Sequence, residues 1–270
     1  MKTLDSVKAI IEKWYLMLFE DRKYDLEFYR ALDEIYIDEK SALEDYDLAC
    51  QDGKKNLLSF LYFIEQMEKT YEKMGASREI FLDSARDIVR WCDAWSDKMG
   101  ELYLGELKWL KRGFLGNTVT LGRLQFCFEK AGHTIEKYDV QQGDTVVGIH
   151  IPASGPLLLD DAKKSVVLAK DFFKKTFPDT PFKAFTCHSW LLDPTHSEIM
   201  KEGSNILAFQ TMFDIVGINE SDSIFGYVFK WRTKREELEF VNPTTSFAKT
   251  VKEKALAGRK FYEGLGVLII

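Results

Sequence analysis

Residues 123–128 read Arg123-Leu-Gln-Phe-Cys-Phe128, and residues 145–151 read Thr145-Val-Val-Gly-Ile-His-Ile151. In the first, Leu124, Phe126 and Phe128 alternate with Arg123, Gln125 and Cys127. In the second, Val147, Ile149 and Ile151 alternate with Val146, Gly148 and His150. Period-two alternation is a strand signal, because successive side chains point to opposite faces. Ala131-Gly-His133 and Gln142-Gly-Asp144 have turn composition. Residues 123–151 therefore predict an antiparallel meander of three strands, with the return strand over 133–140.

Upstream of this stretch the period is helical. Val7, Ile10, Ile11, Trp14 and Leu18 form one stripe, and Leu26, Tyr29, Leu32, Ile35 and Tyr36 a second. A third is Leu57, Leu58, Leu61, Ile64, Met67 and Tyr71, ending near Gly75. A fourth is Phe81, Ala85, Ile88, Trp91, Cys92, Trp95 and Met99, with Ser77 as its N-cap and Gly100 as its stop. Proline is absent before Pro152, as long helices require. The acidic run from Asp33 to Glu39, with Glu44, Asp45 and Asp47, reads as a solvated helix face.

Downstream, Asp160 and Asp161 at the start and Lys174 and Lys175 at the end frame a helix, matching its dipole. A strand is predicted over 182–191, then a short helix capped by Ser204 and a strand over 213–218. Residues 221–231 fit either a strand or a buried helix. A helix over 247–258 follows, and Gly264 and Gly266 interrupt the chain before the apolar end Val267-Leu-Ile-Ile270. The sequence thus predicts an α+β protein: a helical N-terminal domain over 1–116 and a mixed-sheet domain over 117–270.

Composition narrows the function classes. The 270 residues are 46% hydrophobic, too apolar for a disordered chain. Lys plus Arg is 37 and Asp plus Glu 43, a net charge of −6, so no nucleic-acid partner is expected. Cys50, Cys92, Cys127 and Cys187 lie far apart with no CxxC spacing, which predicts neither a zinc site nor a disulfide scaffold. No apolar run suits a signal peptide or a membrane span, so a cytoplasmic protein with no membrane partner is expected. P-loop, GxSxG, HExxH and GxGxxG patterns are absent.

Leu121-Gly-Arg-Leu-Gln-Phe126, His150-Ile-Pro152, Cys187-His-Ser-Trp-Leu-Leu-Asp-Pro194, Ser204-Asn-Ile206 and Phe209-Gln210 together carry a family resemblance. The chain resembles a bacterial family of acyltransferase-domain proteins, in which a helical N-terminal acyltransferase region precedes a GNAT-like C-terminal domain. The resemblance implies acyl transfer from acyl-CoA or acetyl-CoA to a small-molecule amine by direct attack, without a metal. It implies a sheet that splays open around the thioester arm, with backbone N–H groups at a helix start holding the pyrophosphate. The helical half would cover the sheet and shape the acceptor site. A non-catalytic GNAT-like module that binds a metabolite or partner is the alternative. The superfamily's phosphate signature is Gln or Arg, two residues, Gly, one residue, then Gly or Ala. It fails at Glu263-Gly-Leu-Gly266, where Phe261 occupies the Gln/Arg position. The nearest substitute is Lys201-Glu-Gly-Ser-Asn205, so Gly203, Ser204 and Asn205 are the expected cofactor contacts, although Glu202 would repel phosphate.

The candidate catalytic residues are His188, His150 and Asp193. A histidine suits removal of a proton from an attacking ammonium. His188 would act as the base with help from Asp193, or else be a partly buried histidine bonded to a carbonyl. His150 would pair with His188, line the same pocket, or simply end its strand. Asp193, before Pro194, is either that carboxylate or a turn former. Arg123 and Gln125 are candidates for a substrate carboxylate, or for ties to the helical half. Trp190 either walls a substrate pocket or packs between the two halves. Asn205 either contacts ligand or helps cap its helix. Cys187 is expected on the face opposite His188, as a core thiol. His133 and His196 are expected to be solvated.

Overall fold

The computed structural model describes residues 4–34 and 52–269. Ile35, Tyr36, Cys50 and the acidic run beyond Glu34 lie outside the described residues. The chain divides into two compact units, Met1–Val119 and Thr120–Ile270.

The first unit is helical. Its described helices are α1 (Leu4–Leu18), α2 (Asp25–Asp33), α3 (Gly53–Lys73), α4 (Arg78–Ala85), α5 (Asp87–Met99) and α6 (Leu107–Phe114). The predicted stripes build its core. Val7, Ile11, Trp14 and Leu18 of α1 are buried, as is every residue of the α3 stripe from Leu57 to Tyr71. Leu26 departs from its stripe and is exposed. The fourth stripe is divided between α4 and α5, which meet at Arg86. Ser77 caps α4 by accepting from the Ile80 N–H, and Gly100 ends α5 in the left-handed conformation, which costs glycine little.

The second unit holds most of a six-stranded sheet. Its strands are β1 (Thr118–Leu121), β2 (Leu124–Lys130), β3 (Thr145–His150), β4 (Ala184–Ser189), β5 (Asp214–Glu220) and β6 (Tyr262–Ile269), in the spatial order β1-β2-β3-β4-β6-β5. β3 and β4 run parallel, while β2/β3, β4/β6 and β5/β6 are antiparallel. The parallel pair needs a crossover, and α7 (Leu159–Thr176) supplies it. The helices α8 (Asn205–Gln210), α9 (Ser223–Val228) and α10 (Ser246–Leu256) fill the later connections. Among the described residues, no helix is long and apolar enough to cross a membrane.

Each face of the sheet has its own cover. Phe128 of β2 meets Phe173 and Phe177 at the end of α7, with ring centroids 4.8 and 5.2 Å apart. On the other face, Val146, Ala184 and Val267 pack with Ile135 and Val140. That packing corrects the predicted return strand. Residues 136–138 form a 3-10 turn, Asp139 is left-handed, and Ile135 bridges Val140. The apolar positions of 133–140 are thus the two ends of a closed loop rather than alternate residues of a strand. The missing strand is β1, which precedes β2.

Packing decides one alternative left open and corrects one further reading. Residues 221–231 contain a helix, because Ile224 and Phe225 enter a cluster with Leu238, Val251 and Phe261. Gly264 and Gly266 do not interrupt the chain. They lie inside β6, where a Cβ would meet Leu192 O at 2.3 Å and Leu192 Cδ1 at 2.7 Å respectively. Glycine in a strand often marks such a close approach.

Candidate functional site

The β3–β4 ladder is short. Val147 pairs with Phe185 and Gly148 with Thr186, and just before them the Lys183 N–H donates to Thr145 O at 3.2 Å. On their outer sides, β3 stays in register with β2 as far as His150, and β4 with β6 as far as Ser189. Beyond Gly148 and Thr186 the two strands no longer pair with each other, which leaves an opening in the ladder, while each remains paired with its outer neighbour. The opening lies at the C-terminal ends of the parallel strands, where open sheets tend to bind ligands. Its edges are residues 149–150 and 187–189.

His188 sits on one edge. Its side chain is half exposed, and Nε2 lies 3.8 Å from Glu263 Oε2. The carboxylate beside His188 is therefore Glu263 of β6, which sequence reasoning missed because the pair depends on the β4/β6 register. Cys187 points to the opposite face and is buried, and burial pushes its thiol pKa far up.

His150 sits on the other edge, on the same sheet face as His188 by register. Its Nε2 lies 3.1 Å from Glu129 Oε1 and 3.2 Å from Cys127 Sγ. Glu129 reaches it by lying over Gly148, where a Cβ would come within 2.5 Å of Glu129 Cδ. Glu129 and Cys127 were not singled out as site residues in the sequence. The signal available was Gly148, a glycine in the middle of a valine-rich strand.

Asp193 is fully buried and does not face His188. Its Oδ1 accepts from the Thr195 N–H at 2.8 Å and the Thr195 hydroxyl at 2.7 Å, and its Oδ2 accepts from the Tyr262 N–H at 3.0 Å. Its histidine neighbour is His196, Nδ1 to Oδ2 at 3.9 Å. His196 is buried, correcting the expectation that it is solvated. Its Nε2 is 2.8 Å from the Trp190 carbonyl oxygen, and desolvation lowers its pKa against the opposing pull of Asp193. The 3-10 turn at Pro194–Glu198 folds the ring inward, which a local polar composition cannot reveal. His133 is exposed, as expected.

Arg123 spends its guanidinium on the loop between β3 and α7. Nε donates to Pro156 O at 3.0 Å, Nη1 to Pro152 O at 2.9 Å and Nη2 to Gly155 O at 3.2 Å. Gln125 is buried and donates to Thr120 Oγ1 at 3.3 Å. Trp190 packs within the second unit, stacked on Tyr227 with ring centroids 6.2 Å apart and set edge-on to His196. Ser204 caps α8 through the Leu207 N–H, next to the left-handed Gly203 and the exposed Asn205. That cap belongs to the connection after β4. The helix that starts directly beyond the opening is α7, preceded by residues 151–158 and without a side-chain cap at Leu158. The first N–H groups of such a helix have no intrahelical acceptor.

A mixed sheet whose central parallel strands stop pairing beyond a short ladder, with one long helix as the crossover, defines a GNAT-like domain. The chain belongs to the family described as GNAT-like C-terminal domain, whose model matches residues 118–268. No curated protein sequence matches the chain. Among solved structures, it is similar to an acyltransferase in complex with decanoyl-CoA, with 26% identity and a TM-score of 0.68. The similarity covers 79% of this chain and 65% of that one, so the chain spans less than two thirds of its length. An acyltransferase structure with decanoyl-CoA and teicoplanin shares the fold at 23% identity and a TM-score of 0.69, with the same coverage.

Proposed function

We propose that the chain is an acyl-CoA-dependent acyltransferase that passes the acyl group from the thioester to an amine of a small molecule. The observation that carries this reading is the early end of the β3–β4 ladder at Gly148 and Thr186. Two strand edges that stop pairing with each other offer peptide groups to an extended, amide-bearing arm, as in strand addition. The pantetheine arm of CoA has that chemistry.

The phosphates fit best over residues 151–158 and the start of α7. A helix start favours anions, and α7 has 18 residues against 6 in α8. Arg123 draws the carbonyls of Pro152, Gly155 and Pro156 to one side of this loop. Ala153, Gly155 and Leu158 are exposed. Asp160 and Asp161 in the first turn oppose an anion, which favours the loop amides ahead of them.

His188 is the better placed base. His150 Nε2 is already engaged by Glu129 and Cys127, whereas His188 lies on the opening with Glu263 near enough to pair with the imidazolium it would become. The amine nitrogen attacks the thioester carbonyl carbon, and the C–S bond breaks as the tetrahedral intermediate collapses. The surplus ammonium proton passes to His188 and from there to the departing CoA thiolate or to water. Holding amine and thioester together supplies much of the rate.

The test is calorimetry with CoA, followed by CoA-thiol release from acetyl-, octanoyl- and decanoyl-CoA in the presence of amines. Binding with turnover is expected. His188→Ala should lower kcat about 10²- to 10⁴-fold with CoA affinity unchanged. No binding at millimolar CoA overturns the reading. Binding without turnover on any amine leaves a metabolite-binding module.

A further inference from the structure

We infer that Cys127, Glu129 and His150 form a binding site for a zinc-like divalent cation. Three donor atoms of different chemistry converge: Cys127 Sγ, Glu129 Oε1 and His150 Nε2 lie 3.3, 3.1 and 3.2 Å from one another. A tetrahedral zinc with ordinary bonds to sulfur, nitrogen and oxygen has ligand–ligand edges of about 3.4–3.6 Å. Each pair would open by only about 0.3 Å to admit the ion. Thiolate, imidazole and carboxylate together match a borderline-soft ion better than magnesium or calcium, which prefer oxygen ligands alone.

The sheet builds this arrangement. Cys127 and Glu129 are two residues apart on β2 and share a face, while Cys127 pairs with Gly148 and Gln125 with His150. The β2/β3 register therefore sets His150 diagonally across from Cys127. Glu129 lies opposite Val146 and bends back over Gly148 to reach the histidine. Any side chain at 148 would displace that carboxylate. Cys127 is buried, whereas the His150 and Glu129 side chains are each about a third exposed, so an ion enters from one side. Three protein ligands leave a fourth position for water or an outside ligand, as zinc sites that exchange ligands do. On binding, the Cys127 thiol loses its proton to solvent and the sulfur takes up the metal bond. The cysteine spacing that counts against a zinc motif does not bear on this site, because its ligands come from neighbouring strands.

The test uses the untagged full chain, stripped with chelator and titrated with zinc against a chromophoric competitor. Cobalt(II) serves as a spectroscopic stand-in. The expected result is one ion per chain and a thiolate-to-cobalt charge-transfer band. Cys127→Ser should abolish the band, while Cys92→Ser, on α5, leaves it intact. Glu129→Gln and His150→Ala should each weaken zinc at least tenfold. Gly148→Ala should do the same with all three ligands kept, and circular dichroism checks that each variant is folded. A stoichiometry near zero, or a band that survives Cys127→Ser, overturns the inference. No acyl donor is involved, so this outcome is separate from that of the acyl-transfer assay.

Discussion

Gly264→Ala tests how tightly β6 is held against the turn that follows β4. Gly264 pairs with Ser189 on one side and Ile218 on the other. A Cβ built there lies 2.3 Å from Leu192 O, 2.8 Å from Leu192 Cβ and 2.9 Å from Leu192 C. Carbon and carbonyl oxygen ordinarily stay about 3.3 Å apart or more, so backbone must move by about 1 Å. The obstructing atom is a carbonyl in a buried turn, which has no rotamer through which to escape. Overpacking of this kind costs about 1–3 kcal/mol, and a backbone clash belongs at the upper end. For a unit of this size, about 3 kcal/mol lowers Tm by about 6–12 °C. Gly217→Ala is the control, since the nearest atom to its Cβ is Leu265 Cβ at an ordinary 3.8 Å. With a strand-compatible backbone, that change should be neutral or stabilising by up to about 1 kcal/mol. Differential scanning calorimetry reads both variants. If Gly264→Ala melts with the parent while circular dichroism is unchanged, the close approach of Leu192 is wrong, and so is the account of why β6 carries glycines.

Asp193→Ala should destabilise the second unit by about 3–5 kcal/mol, because the N–H groups of Thr195 and Tyr262 and the Thr195 hydroxyl lose a buried charged acceptor. Urea unfolding measures it, and a loss below about 1 kcal/mol would return Asp193 to the role of an ordinary turn residue. The pH dependence of stability should carry the mark of His196. Its folded pKa is lowered by burial, so the unfolded chain binds the extra proton more readily. Its contribution is fully present above the unfolded value of about 6.5 and is lost as pH falls through the folded pKa. Denaturant midpoints from pH 7.5 to 5 should therefore fall more steeply for the parent than for His196→Phe, and parallel curves would count against the buried neutral ring. Arg123→Ala should weaken CoA binding with little change in kcat at saturation, because it frees the loop over 151–158 without touching the opening. A loss confined to kcat would place Arg123 elsewhere in the mechanism.

Period and punctuation in the sequence determined much of this protein. The stripe from Leu57 to Tyr71 became a buried helix face, Ser77 and Ser204 became caps, and the change from helical to strand period became the passage from α6 to β1. These features depend on residues a few positions apart, so they can be read locally. The return strand expected over 133–140 fails for the same reason: two flanking turns suggest a strand between them, whereas Val146, Ala184 and Val267 draw Ile135 and Val140, the two ends of a loop, onto one face. The candidate site was legible only in part. His150 and His188 stand out by type and place, but their partners Glu129 and Glu263 are chosen by strand register. Asp193 turned away from His188 because the turn after it needed a buried acceptor. Tertiary structure alone decided where the β3–β4 ladder ends and which side chains meet across it, because strand pairing joins residues that no sequence spacing relates.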